Sequence, residues 1–432
     1  MDFNLLFKAL FIQSVLGLGS VVVAELVRDV YHVAGHYWQP LQSPHNLHHK
    51  AYRRDLSIVS LAAYQKAQWH NDVPEALVMV ISTALIALAG GQFGAAYGLW
   101  AGCLYSLSFL ITAIARSQGR LLQTDLTHKP GDLTEIPSQW SVNRTYHWRH
   151  HFDQGNAYFC GTLTFMDKIL GTSLSLKGKV VGVTGASGAL GQALIRQLSR
   201  QGAKVIALTS HLDAAFPPEV EVIPWRISPE GNPEANSESN SEANLEASLK
   251  DQLERMDILI LNHGVNVYGD RSFAAIQASY AVNTFSTLKL TELFLDTVTK
   301  SSHKAIKELW INTSEAEVNP AFSPLYELSK RTLGDLITLK RLDAPCIIRK
   351  LVLGPFKSKL NPYGVMTAQG VAWAIVELAK RDFRDVIVTI NPLTYLLFPV
   401  KELFQSLYFK LFTHSRAPQS KQGQTAQTLQ KI

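Results

Sequence analysis

The sequence predicts two joined architectures: an N-terminal α-helical integral-membrane, histidine-rich half, and a C-terminal α/β half on a doubly wound parallel sheet. Three observations predict this. Residues 3–24 and 76–115 are long apolar runs that hold one charge between them, Lys8. Histidines crowd into short groups beside those runs. From residue 179 onward, strand-like segments alternate with helical patterns, as in a parallel sheet covered on both faces.

The bulk composition agrees. The chain has 432 residues, 47% hydrophobic and 18% charged. The charge content is below the ~25% usual in soluble chains, which points to membrane contact or large buried surfaces. The length suggests two to three domains. A net charge of +6 suits anionic lipid, a nucleotide or a redox partner, and no dense Lys/Arg block argues for nucleic acid. Three scattered cysteines, Cys103, Cys160 and Cys346, give no disulfide framework and fit a reducing compartment.

The first apolar run reads as a membrane anchor. The second, forty residues, would be roughly 60 Å long as helix, enough for about two crossings of a ~30 Å hydrocarbon core. "GGQFG" at 90–94 marks the turn between them. One crossing plus a hairpin leaves residues 25–75 and everything after 115 on one side. Arg28, Lys50, Arg53, Arg54, Lys66, Arg116, Arg120 and Lys129 place that side in the cytoplasm by the positive-inside rule. Character changes at 171–179. The expected domains are 1–172, 173–395 and 396–432. Residues 228–244 read as a polar, low-complexity disordered loop inside the second domain, and the last ~18 as a disordered tail. The apolar stretch 393–412, interrupted by Pro399, suits either the membrane surface or packing on the sheet.

His32 and His36 are spaced i, i+4; His45, His48 and His49 share one helical face; His147, His150 and His151 repeat that spacing; His128 stands between. Neutral imidazole suits Fe, Zn or Cu. Eight or nine such ligands are about right for two ions, and two irons can share the electrons needed to split O₂. Histidine ligands need acceptors that fix their tautomers. The candidates are Asp29, Asp55, Asp72, Glu75, Asp125 and Asp153, while His70 falls outside the motifs.

"HVAGH", "HNLHH", "HWRHH" and the closing "NAYFCGTLTFMDKILGT" resemble the fatty acid hydroxylase/sterol desaturase superfamily over residues 10–172. The resemblance implies two iron ions held by His32, His36, His45, His48, His49, His128, His147, His150 and His151. It also implies O₂ as oxidant, a lipid C–H bond as target, and an electron donor such as a ferredoxin or cytochrome.

In the second half, "VTGASGALG" sits between a strand and a helix, with Gly185, Ser187, Gly188 and Gly191 in the turn. Backbone N–H groups there approach a pyrophosphate at a helix N-terminus, the Rossmann-type arrangement. The next strand ends in Thr209 and Ser210 with no acid beside them. That favours NADP(H) over NAD(H), with Arg226 a distant phosphate partner. Further strands are expected at 219–225, 256–264, 308–314, 344–354 and 385–390. Downstream come Asn262 and Gly264 in "LNHG", Asn283, Ser314, and Tyr326 with Lys330 in "YELSK". Tyr and Lys at i, i+4 share a face, and the lysine cation favours phenolate. The tyrosine then exchanges a proton with an oxygen while hydride moves at carbon. Ser314, with Thr313 as rival, bonds that oxygen. Lys330 also holds the ribose, and Asn283 seats a relay water.

This order resembles the short-chain dehydrogenase/reductase family over residues 176–391. Its glycine spacing is nearer the extended branch, and "LGPF" at 353–356 matches the cover of the nicotinamide. The whole arrangement resembles sterol desaturase/short-chain dehydrogenase fusions. The expected function is a bifunctional membrane-bound lipid redox enzyme. It would combine di-iron hydroxylation or desaturation with NAD(P)-dependent carbonyl/alcohol chemistry on the same lipid. The alternatives are aldehyde-to-alkane chemistry and a membrane-anchored NADP-sensing module.

Overall fold

The computed structural model describes residues 3–92, 94, 96–227, 233–235 and 242–414. The N-terminal half is helical: α1 (Phe3–Tyr37), α2 (Gln39–Lys50), α3 (Leu61–Ala67), α4 (Val73–Gly91), α5 (Trp100–Ser117), α6 (Arg144–Phe152) and α7 (Phe165–Leu170). A π-helical turn, Gln68–Asp72, fuses α3 to α4.

Three helical stretches are long and apolar enough to cross a membrane: Leu6–Tyr37, Leu61–Gly91 and Tyr97–Ser117. The third, 21 residues, matches a ~30 Å core at ~1.5 Å per residue. The first two, 32 and 31 residues, exceed that thickness by about ten residues each. Their surplus turns carry His32, His36, Asn71 and Asp72 past the hydrocarbon. The helical stretch of the second span therefore begins at Leu61, well before the apolar run at 76. Its extra turns are polar, so hydropathy alone does not reveal them.

The C-terminal half is one sheet. Its strands are β1 (Val180–Thr184), β2 (Lys204–Thr209), β3 (Glu221–Ile227), β4 (Pro233–Ala235), β5 (Ile258–Leu261), β6 (Glu308–Asn312), β7 (Ile347–Leu353) and β8 (Asp385–Val388). Their order is β4-β3-β2-β1-β5-β6-β7-β8. All neighbours are parallel except β4, antiparallel to β3. Helices α8 (Ala189–Arg200), α9 (Glu242–Glu254), α10 (Phe273–Tyr280), α11 (Ser286–Leu295), α12 (His303–Ile306), α13 (Pro324–Arg341), α14 (Ala368–Lys380) and α15 (Pro392–Phe412) connect or flank the strands.

Strand alternation splits the core in two. Val181, Val183 and Ile260 meet Leu194 of α8 and Ile375 of α14. Leu259, Leu309 and Ile311 meet Leu253, Phe294 and Ile337 from α9, α11 and α13.

Two expectations change here. The 228–244 segment is not wholly loop: Pro233–Ala235 pairs with β3 and α9 starts at Glu242, while the rest of it lies outside the described residues. The expected disordered tail, from 415, also lies outside them. The helix of the third expected segment starts at Pro392, before the 396 boundary, and runs unbroken through Pro399.

The two halves meet at the amino edge of the sheet. Arg149 of α6 donates to Ala305 O and to Glu308, the first residue of β6. Glu308 also takes a two-pronged ion pair from Arg349, and Arg349 reaches Asp382. Burial would raise the Glu308 carboxyl, but Arg349 and then Arg149 hold it down to about 2. Gln139, Lys168 and Arg384 add side-chain to backbone bonds across the same seam.

Candidate functional site

All nine sequence-predicted histidines converge, from four elements. His32 and His36 end α1; His45, His48 and His49 lie on α2; His128 closes a 3₁₀ turn; His147, His150 and His151 lie on α6. They form two groups: His32, His36, His45, His49 and His150, and His48, His128, His147 and His151. Within each group every ligand nitrogen is within 4.8 Å of the others. His70 is exposed and joins neither.

The tautomers tell what these rings face. His150 Nδ1 is 2.8 Å from Ala157 O, and His128 Nδ1 is 2.9 Å from the Asp125 carboxylate. His45 Nδ1 is 3.2 Å from Asn71 Oδ1, while the Asn71 amide nitrogen donates to Asp72. Those partners are acceptors, so each Nδ1 carries hydrogen and each Nε2 presents a lone pair. The Nε2 atoms then crowd together: His45 to His36 at 2.7 Å, His32 to His150 at 2.9 Å, His147 to His128 at 3.0 Å. Lone pairs aimed at one another in a buried site are a donor set for cations, and the residues present fit two metal ions. Burial keeps His45 and His49 neutral, pushed down to about 3 and about 2. His48 goes the other way: burial lowers it, but Asp72, 3.4 Å away, outweighs burial and raises it.

Of the six expected carboxylate partners, Asp72 and Asp125 touch histidines. Asp29 accepts from Gly161 N, Asp55 from Ser57, Glu75 pairs with Arg28, and Asp153 pairs with Lys179. Asn71 and the Ala157 carbonyl had no sequence signal. The π-turn supplies the former, since its extra residue lets adjacent Asn71 and Asp72 both face the rings.

The second constellation lies at the carboxyl edge of the sheet, where strand order reverses between β1 and β5. Gly185 takes φ 60°, a left-handed conformation that favours glycine. A Cβ on Gly191 would collide with the Gly185 carbonyl, so glycine keeps α8 tight against the turn. Gly188 precedes α8, and Ser187 is half-buried in the turn. Thr184 Oγ1 accepts from Asn262 N, and Asn262 Oδ1 accepts from Asn312. Thr209 is buried and accepts from His211 N; Ser210 is exposed. Arg226 is exposed on β3.

Ser314 lies beside Tyr326, its Oγ accepting from Ala316 N, while the rival Thr313 hydroxyl is buried without a partner among the described residues. Lys330 Nζ lies 6.0 Å from the Tyr326 ring centre and donates to Asn312 O at 2.8 Å. Burial lowers Lys330 to about 8. Burial also raises Tyr326, with only Ser314 opposing it. The phenol therefore lies above its ordinary value, opposite to the direction expected from a lysine one turn away. Asn283 sits in a second π-helical turn beside Gly264. Its side chain clamps Val265 N and O and reaches Ser329, so any relay water must use its backbone. A cleft of about 330 Å³ at the α8–α14 junction is lined by Gln192, Arg196, Lys357 and Thr367. Its two cations, Arg196 and Lys357, were not among the expected phosphate partners; Arg196 lies on α8 just past the glycine turn, and Lys357 is remote from it in sequence.

The two residue groups lie toward opposite edges of the sheet. From Glu308, tied to α6, to Asn312, tied to Lys330, β6 rises four steps of ~3.3 Å, about 13 Å.

The short chain dehydrogenase family matches residues 179–342. A monoglucosyldiacylglycerol epimerase from Synechocystis sp. is 56% identical over 414 residues, covering 92% of this chain and 97% of that protein. Among solved structures, a short chain dehydrogenase from Burkholderia cenocepacia in complex with NADP is 17% identical with a TM-score of 0.43, covering 56% of this chain and 100% of that one. An alcohol dehydrogenase from Thermococcus sibiricus complexed with 5-hydroxy-NADP is 18% identical with a TM-score of 0.41, covering 50% and 96%.

Proposed function

The chain belongs to the family of the monoglucosyldiacylglycerol epimerase, and from that premise we propose that it inverts one hydroxyl-bearing carbon of a hexose carried on a membrane glycolipid. Its sheet half is a short-chain dehydrogenase domain, and the chain is an enzyme of oxidoreductase type. The sensing-module alternative therefore falls away.

The observation that carries the proposal is the Ser314–Tyr326–Lys330 group beside the glycine turn. Tyr326 as phenolate takes the proton of a ring hydroxyl and later returns it. Ser314 donates to the same substrate oxygen and keeps it oriented. Lys330, fixed by Asn312 O, supplies the positive charge that favours phenolate. Gly185, Ser187, Gly188 and Gly191 receive the pyrophosphate at the N-terminus of α8. Asn262 and Gly264 line the floor. Thr209 and exposed Ser210 leave room for a 2′-phosphate, so the cofactor is NADP(H). A nicotinamide dinucleotide bound there would supply reversible hydride transfer at that carbon, and if the ketone turned over in the site before hydride returned, the carbon would be inverted with no net redox change. Tyr326→Phe in full-length protein in lipid nanodiscs, given glucosyldiacylglycerol and NADP⁺, is expected to lose conversion by at least ~100-fold, the scale of general acid–base catalysis, and to keep cofactor binding. Retained conversion sinks the assignment.

A second reading is favoured by the convergent lone pairs of the histidine groups. The nine imidazoles would hold two iron ions on the cytoplasmic side of the bilayer. Such irons, fed by a ferredoxin or cytochrome, would supply O₂-dependent oxidation of a lipid C–H bond. Metal analysis of detergent-purified protein is expected to give about two irons per chain. Zinc, or no metal, removes the O₂ chemistry.

A further inference from the structure

Helix α15 is amphipathic in the reverse sense for a helix packed on a water-soluble domain. Its inner face carries, besides buried Phe398, mostly polar and charged groups. Lys401 pairs with Glu317 and Asp335, and Glu402 pairs with fully buried Lys350 and with Arg341. Thr394 bonds Asn319 and Glu315. Its outer face is apolar. Leu393, Leu396, Val400, Leu403, Leu407 and Leu411 recur at i, i+3 and i+4 along the whole helix, and all stand exposed. Phe404 and Phe412, 67% and 71% exposed, flank this stripe. No described element covers it. A domain surrounded by water places such a stripe inward.

The course of α15 says what covers it. Helix α13 leads from the carboxyl end of β6 to the amino end of β7, and α15 lies beside it in the same direction: Thr394 against Asn319, Lys401 against Asp335, Glu402 against Thr338 and Arg341. α15 therefore starts beside the carboxyl edge, where the Ser314 loop runs on to Phe322, an aromatic 98% exposed. It passes the amino edge near Glu402 and continues ten residues, ~15 Å, toward the end of the sheet that carries the membrane half. The bilayer entered by α1, α4 and α5 lies at that end.

We propose that α15 lies in the lipid–water interface along its 21 residues and lays the sheet domain on its side against the bilayer. The occupant of the apolar stripe is the lipid surface itself. An interfacial helix of this kind buries its apolar face ~5–10 Å into the headgroup region. Lying flat, it brings the mouth above Tyr326 and the rim at Phe322 to the membrane plane. This explains how a headgroup anchored in lipid reaches a site on the sheet edge remote from the spans. The docking does not depend on which lipid the enzyme converts.

Nitroxide labels test this in the full-length chain with Cys103→Ser, reconstituted in phosphatidylcholine bilayers. Labels are placed singly at Leu396→Cys, Phe404→Cys and Leu411→Cys, with Asp213→Cys beyond β2 as the aqueous reference. The expected result is an oxygen-to-nickel-chelate collision ratio several-fold higher at the three α15 positions than at 213. A ratio equal to the reference leaves α15 in water and overturns the proposal. So does spin–spin broadening that vanishes on dilution with unlabelled chain, which assigns the stripe to a second copy.

Discussion

Lys330 is the residue whose electrostatics bear most on the proposed chemistry. Its ammonium, lowered to about 8 by burial, is charged below that pH and neutral above it. In the proposed mechanism a charged Lys330 stabilises the negative charge that forms on Tyr326 when it loses its proton, so losing that charge is expected to lower kcat/KM as pH rises through about 8. Lys330→Arg keeps a cation at all working pH and is expected to move that descending limb upward. A limb unmoved by the substitution assigns the titration to another group. The histidine residues show what is legible at this scale. Histidines at i, i+3 and i+4 on one helical face stand out in sequence, and all nine met in space. The groups that orient them do not. Asn71 and the Ala157 carbonyl reach the rings through a π-turn and a loop, and Asn has no signal distinguishing it from any other surface amide.

At the scale of elements, the seam between α6 and β6 fixes how the halves sit. Glu308 is wholly buried between Arg149 and Arg349. Removing it strands two buried cations, so Glu308→Ala is expected to destabilise the protein by about 3–5 kcal/mol, read by thermal unfolding in detergent. Its pH signature is distinct. The folded-state value near 2 lies below the ordinary 4.5, so this stabilisation is complete above pH 4.5 and is lost as pH falls from 4.5 toward 2. The total is on the order of 3 kcal/mol. A variant as stable as the parent at pH 7 contradicts the latch. The seven parallel strands were legible because each is a short apolar run between turn signals. β4 was not: three residues, Pro233–Ala235, gain strand character only by pairing with β3. The two π-turns, at Asn71 and at Asn283, were also hidden, because their sequences read as ordinary helix.

Across the whole molecule, the sheet separates the two sites. The histidine groups adjoin its amino edge through α6, and Tyr326 stands at its carboxyl edge. Each site was readable from its own motif, but their placement on opposite edges was not, since it follows from how α6 docks on β6. In the proposed epimerisation the sheet site needs no oxygen. The most direct measurement is conversion of nanodisc-embedded glucosyldiacylglycerol under strict anaerobiosis, with NADP⁺ well below the substrate concentration. The account predicts many turnovers to the epimeric glycolipid, with no accumulation of reduced cofactor. Conversion that stops when oxygen is removed, or one equivalent of reduced cofactor per lipid consumed, would contradict it.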